Sequence, residues 1–127
     1  MKTLLIIDDS ALLVENLAEF FELQGYRVIT STNGKDGLKL ANKELPDLVV
    51  SDILMPHLDG HEVCIALHNH VKTRNIPFVF SSARSEQKDQ NSALELGADA
   101  YLVKPYDPHE LLAVVEKLLG KSTFRKD

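Results

Sequence analysis

The chain has 127 residues, 44% of them hydrophobic and 26% charged, with a net charge of −5. That is one ordinary globular domain with enough apolar side chains for a core, and its negative charge gives no support to nonspecific DNA binding. Cys64 is the single cysteine, which excludes an internal disulfide framework and fits a reducing, cytoplasmic setting.

The first element is the run Leu4-Leu5-Ile6-Ile7, which ends at Asp8-Asp9. It reads as a buried strand. It is too short for the roughly 7–15-residue apolar region of a signal peptide, and no stretch of the chain approaches the roughly 20 residues of a membrane span. Ser10 can cap a first helix with Leu13, Leu17, Phe20 and Phe21 on one face, ended by Gly25. Arg27-Val28-Ile29-Thr30 is a shorter, more polar strand that suits a sheet edge. A second helix near Asn33 to Glu44 carries Leu38, Ala41 and Leu45. The strand Leu48-Val49-Val50-Ser51 then runs into Asp52.

A third helix from about Gly60 stacks Val63, Leu67 and Val71, and Phe78-Val79-Phe80-Ser81 runs into Ser82. The fourth helix, around Ser85 to Leu96, is polar in its first half and has little to bury. Tyr101-Leu102-Val103 runs into Lys104. The last helix has the clearest start, with Asp107 as N-cap, Pro108 at N1 and Glu110 three residues after the cap. Leu111, Val114, Val115 and Leu118 follow, and Gly120 stops it.

Strand and helix thus alternate five times, which predicts an α/β fold with a parallel sheet. The apolar runs do not alternate with polar residues, as expected for strands covered by helices on both faces. Ligands bind such sheets at the carboxyl ends of the strands. Asp8, Asp9, Asp52, Ser82 and Lys104 all stand there. Three carboxylates, a hydroxyl and an ammonium at one rim suggest a site for a hard metal ion and a phosphoryl group. Other acids fit less well. Asp47 precedes its strand and lies at the wrong edge, and Asp59-Gly60 reads as turn chemistry. Ser81 points to the opposite face from Ser82 and reads as structural.

Four features together resemble a response-regulator receiver domain, the phosphoacceptor of two-component signalling. They are Asp8-Asp9, the stretch Asp52-Ile-Leu-Met-Pro-His-Leu-Asp-Gly60 (D-x-x-M-P-x-x-D-G), the step Ser82-Ala83, and Tyr101-Leu-Val-Lys104-Pro105. The likeness covers residues 2–120. It implies a doubly wound five-stranded sheet in the order 2-1-3-4-5, with residues 1–120 as the receiver. Residues 121–127 would be a polar tail or the start of a linker, which fits a stand-alone receiver and an excised domain alike.

The resemblance also assigns roles. Asp52 would be the phosphoryl acceptor, forming an acyl phosphate. Asp9 would bind Mg²⁺ directly and Asp8 largely through water, together with Asp52 and the Leu54 carbonyl. Mn²⁺ would substitute. Lys104 would pair with Asp52 at rest and with a phosphoryl oxygen afterwards, aimed inward by a cis Lys104-Pro105 peptide. Ser82, where the family more often has Thr, would donate to the phosphoryl group, and Tyr101 would turn inward as that hydroxyl moves. Leu54 and Arg84 would tune the lifetime of the phosphorylated state. The implied partners are a histidine kinase or phosphotransfer protein and a downstream target at the helix 4–strand 5–helix 5 face, with no direct nucleic acid or membrane contact, for a monomer or weak dimer. Such a protein catalyses only its own phosphorylation and dephosphorylation.

Two other readings use the same architecture. A phosphate-independent docking module would not need every chemical position filled, as they are here. A flavin carrier would need a Ser-, Thr- and Gly-rich loop after the first strand, where Asp8-Asp9-Ser10-Ala11 stands instead. The histidines do not point to zinc. Pro56 and Asp59-Gly60 argue against a continuous helix through His57 and His61, while His68 and His70 do not share a helix face. Cys64 reads as a small buried hydrophobe.

Overall fold

The computed structural model describes residues 1–120; the tail expected over 121–127 lies outside the described residues. Five strands alternate with five helices: β1 (Thr3–Ile7), α1 (Ala11–Leu23), β2 (Arg27–Ser31), α2 (Gly34–Glu44), β3 (Leu48–Ser51), α3 (Gly60–His68), β4 (Phe78–Ser82), α4 (Gln87–Glu95), β5 (Ala100–Val103) and α5 (Pro108–Leu119). The strands form one parallel sheet in the order β2-β1-β3-β4-β5. This is the doubly wound arrangement expected from the sequence.

The unbroken apolar runs are explained by burial on both faces. Along β1, Leu5 and Ile7 join a cluster with Val49, Val63, Leu67, Phe78 and Phe80. Leu4 and Ile6 point the other way, into a cluster with Val14, Leu17, Phe21, Val50, Val79, Leu111 and Val115. Side chains of period 2 thus feed two cores, one under α2, α3 and α4 and one under α1 and α5.

Local signals set most of the boundaries. The Ser10 side chain accepts from the Leu13 N–H at 3.3 Å, and Gly25 takes a φ of +96° just past α1. Asp107 and Glu110 form a reciprocal capping box on α5, with Pro108 in its first turn. Two expected helix faces are corrected. Leu45 does not continue the α2 face; it is the C-cap, in a left-handed conformation with φ 47° and 47% exposed. Val71 lies beyond the end of α3 and is 69% exposed, because α3 stops at His68 and the chain turns. The fourth helix is shorter than expected. It lacks a side-chain cap and buries only Ala93, as its polar first half anticipates.

Aspartates brace the sheet edge away from the site. Asp47 accepts from the Thr3 N–H at 2.7 Å, and Asp99 from the Phe78 N–H at 2.8 Å. Asp59, read as turn chemistry, is the N-cap of α3 and shares a capping box with Glu62. Gly60 is required by close approach. A Cβ there would lie 2.1 Å from the Asp52 carbonyl oxygen, a backbone atom that cannot step aside. Gly60→Ala is therefore expected to lower stability by about 2–3 kcal/mol, read from urea unfolding. An unchanged midpoint would show that the α3 start is not pinned against Asp52.

Candidate functional site

The site is assembled by strand order. β1 and β3 are neighbours at the centre of the sheet, so Asp8 and Asp52 leave it side by side. Ladder hydrogen bonds extend past the strand ends and fix them there: Asp8 N–H donates to the Ser31 carbonyl at 3.1 Å, Asp52 N–H to the Ile7 carbonyl at 2.9 Å, and Lys104 N–H to the Ser82 carbonyl at 2.8 Å.

One carboxylate oxygen from each of Asp8, Asp9 and Asp52 lies within 4.8 Å of the other two. Asp8 is 2% and Asp52 8% exposed, whereas Asp9 is open to solvent. Backbone holds one oxygen of each of the two buried acids. Ser10 N–H donates to Asp8 Oδ1 at 3.0 Å and Ile53 N–H to Asp52 Oδ1 at 2.7 Å. From just past the end of β5, Lys104 Nζ donates to Asp52 Oδ2 at 3.1 Å and to Asp8 Oδ2 at 2.6 Å. Sequence reasoning paired Lys104 with Asp52; the structure adds Asp8 as the nearer partner. The Lys104-Pro105 peptide is cis.

Three carboxylates face one ammonium, and two of the three are nearly out of water. Burial raises the Asp52 pKa above the usual carboxylate value; the Lys104 hydrogen bond and charge and the Ile53 N–H oppose this, and Asp8 adds to it. For Lys104, burial works against the charged form, but the hydrogen bonds and charges of Asp8 and Asp52 outweigh it, so the net shift is upward. The donor set is all hard oxygen, the set Mg²⁺ or Mn²⁺ prefers. A divalent cation would balance the charge that one lysine leaves over.

Beside this cluster, Ser82 is fully buried at the end of β4, and its Oγ accepts from the Arg84 N–H at 3.2 Å. Tyr101 Oη donates to the carbonyl of the same Arg84 at 2.9 Å, while its ring tilts against Phe80 at 6.4 Å. One peptide segment is thus held at both ends, by the hydroxyl at the site and by the tyrosine. The Arg84 guanidinium stands 3.8 Å from Asp89 at the start of α4. Leu54 is 53% exposed just past Asp52.

The histidines lie elsewhere. His61 packs edge-on against Phe80, and His68 Nδ1 lies 2.9 Å from the Cys64 carbonyl. Cys64 is buried, as expected, and burial pushes its thiol pKa up to about 12. Sequence reasoning missed Tyr106, whose hydroxyl accepts from Ser81 Oγ at 3.2 Å. The signal for it was an aromatic two residues past Lys104 together with a buried polar residue beside Ser82.

Among known proteins, the family model described as "Response regulator receiver domain" matches residues 4–116. The chain is 40% identical over 121 residues to the alkaline phosphatase synthesis transcriptional regulatory protein PhoP of Bacillus subtilis, covering 95% of this chain and 50% of that protein. It is 36% identical to the response regulator SaeR of Staphylococcus aureus, again over 95% of this chain but 52% of the relative. The chain therefore spans about half the length of these curated relatives. A putative response regulator from Chloroflexus aurantiacus superimposes with a TM-score of 0.88 at 32% identity, covering 94% of this chain and 98% of that one. The Vibrio cholerae chemotaxis protein CheY4 does so with a TM-score of 0.88 at 27% identity, covering 94% and 99%. With the order of its strands, the acids at their ends and the family match all in agreement, the chain belongs to the response-regulator receiver domains of two-component signalling.

Proposed function

We propose that this receiver accepts a phosphoryl group on Asp52 from a histidine kinase or histidine phosphotransfer protein and uses it to switch a binding surface. The observation that carries the reading is the meeting of Asp8, Asp9, Asp52 and Lys104 at one rim. Asp9, Asp52, Asp8 and the Leu54 carbonyl would hold Mg²⁺, which supplies charge neutralisation for the carboxylates and the incoming group. Asp52 acts as nucleophile: its oxygen bonds phosphorus as the donor's P–N bond breaks. Phosphoryl transfer of this kind depends on positioning and charge rather than on a protein acid or base. Lys104 and Ser82 supply cationic and hydroxyl donors to the transferred oxygens.

The switch follows from the hydrogen bonds of Arg84. When Ser82 Oγ turns to a phosphoryl oxygen it gives up the Arg84 N–H, and the segment that Tyr101 holds by its carbonyl is freed to move. A pre-existing equilibrium then shifts, with a coupling of about 1–3 kcal/mol typical of such devices. The surface affected is that of α4, β5 and α5, where a downstream partner would bind. Among the described residues no helix is long and apolar enough to cross a membrane.

Incubation with acetyl phosphate and Mg²⁺ tests the reading. An alkali-labile phosphorylated species should form, and Mn²⁺ should replace Mg²⁺. Absence of any adduct would favour a phosphate-independent docking module. Leu54 and Arg84 both project from the loops that flank the acceptor, with the Arg84 side chain 43% exposed. Exchanging the residue at both positions is expected to change the dephosphorylation rate about 5-fold, a barrier change of about 1 kcal/mol. A rate unmoved by the double exchange would remove them from that role.

A further inference from the structure

We propose that Ser81 and Tyr106 are a pair of positioning residues: their buried hydroxyl contact pins the loop that carries Lys104 to β4, and so holds the ammonium over Asp8 and Asp52. The proposal deepens the phosphoacceptor reading and rests on it for its functional consequence, though its geometry stands alone.

The two serines that end β4 serve opposite faces. Ser82 and Arg84 meet on the side of Tyr101. Ser81 follows Val79, which lies in the core under α1 and α5, and it is 2% exposed there. A buried hydroxyl needs a partner, and the one Ser81 has is Tyr106 Oη, 25 residues away in the chain. Tyr106 is half-buried against the same core. It lies two residues past Lys104 and one before the Asp107 cap of α5. The loop between β5 and α5 is therefore fixed at its start by the Lys104 N–H to Ser82 carbonyl bond and at its middle by Tyr106 on Ser81. Lys104, Pro105 and Tyr106 together line an open pocket of about 300 Å³ beside Leu13 and Leu17 of α1, so the loop has free space on that flank. The tyrosine remains protonated at neutral pH: burial, the largest influence, raises its pKa, with Ser81 and Lys104 acting in the opposite direction and Asp8 and Asp52 adding to it. It therefore serves as a neutral hydrogen-bonding group rather than as a second charge.

The test is the reactivity of the Lys104 amine, read residue by residue after brief acylation of the whole protein, with exposed Lys88 as internal reference. Tyr106→Phe, Ser81→Ala and the double variant are compared with the wild type, and circular dichroism confirms that each is folded. Loss of the pin should raise Lys104 labelling relative to Lys88 about 3–10-fold, the scale of one lost hydrogen bond, and the double variant should match either single one. Adduct formation from acetyl phosphate should slow in the same order. Unchanged Lys104 labelling in both folded single variants overturns the proposal, whether or not the protein takes up phosphate. Additive effects in the double variant also overturn it, because they show two independent packing losses and no shared contact. If labelling rises as expected but no variant, nor the wild type, forms an adduct, the pin is upheld and the phosphoacceptor reading is what fails.

Discussion

Lys104→Met will destabilise the metal-free protein by about 3 kcal/mol at neutral pH, and acid or Mg²⁺ will restore much of the loss. The reasoning starts from burial. Asp8 and Asp52 are almost out of water, and Lys104 reaches both. Taking away one partner of a buried ion pair leaves charge uncompensated, which typically costs about 3–5 kcal/mol; the lysine's partial exposure places this case at the lower end. The sign of the pH effect follows from the shifts. The Lys104 pKa is raised in the fold by its two carboxylates against the opposing effect of burial, so its contribution is fully present below its unfolded value and is lost only as pH rises through the folded one. At pH 7 the wild type therefore has all of it. In the variant Asp52, whose pKa burial already raises, is relieved by protonation, so the gap to wild type should narrow as pH falls. Magnesium should narrow it too, by binding the folded state alone. Urea unfolding at pH 7 and pH 5, with and without Mg²⁺, reads these effects. A loss that is the same under all conditions would mean that only the aliphatic stem of Lys104 had been contributing.

Asp52→Asn should do two opposite things. Phosphoryl uptake should fall by more than about 1000-fold, as when an enzyme loses its nucleophile, because an amide oxygen cannot form the acyl phosphate. Stability without metal should rise by about 0.5–2 kcal/mol, the range of single stabilising substitutions. Burial raises the Asp52 pKa, and the Asp8 charge adds to the effect against the opposition of Lys104 and the Ile53 N–H. A carboxylate with a raised folded value contributes stability below its unfolded pKa and loses it as pH climbs through the folded one. Ionised Asp52 is therefore a burden on the fold at neutral pH. Asparagine keeps an acceptor for the Ile53 N–H and leaves Lys104 its nearer partner, Asp8. A variant less stable than wild type at pH 7, or one that still takes up phosphate at the wild-type rate, would contradict this description of the site. The opposition of stability and function is expected where like charges are gathered for chemistry.

Much of this was legible in the residues because the relevant signals are local and redundant. Leu4 to Ile7 can only be a strand buried on both faces, and the box Asp107-Pro108-Glu110 states where α5 begins. Once five strands were placed, the rule that sites lie at carboxyl ends brought Asp8, Asp9, Asp52, Ser82 and Lys104 together without a structure. What the sequence hid depends on geometry between elements. Lys104 lies nearer to Asp8 than to Asp52, at 2.6 against 3.1 Å, a difference that no local pattern of residues carries. Leu45 and Val71 keep the helical spacing of their neighbours yet fall past the last turn; at α2 the stop is written in Pro46, which disfavours a helical Leu45, whereas at α3 neither glycine nor proline marks the end and apolar periodicity does not encode it. Gly60 looked like a turn residue, and only the approach of its backbone to Asp52 reveals why a side chain is excluded. Ser81 and Tyr106 were individually visible, but nothing in a 25-residue separation announces a contact.

The most direct test is to find where the phosphoryl group goes. The protein would be treated with acetyl phosphate, with and without Mg²⁺, and the product reduced with borohydride, which converts an aspartyl phosphate to homoserine. Peptide mass spectrometry then locates the change. Conversion at position 52 alone, dependent on a divalent cation and weakened by removal of the carboxylate at position 9, is the predicted result. Conversion at Asp47, Asp59 or another surface acid, or conversion at position 52 that proceeds equally well in the presence of a chelator, would contradict the convergence of these strand ends into one metal-assisted phosphoacceptor.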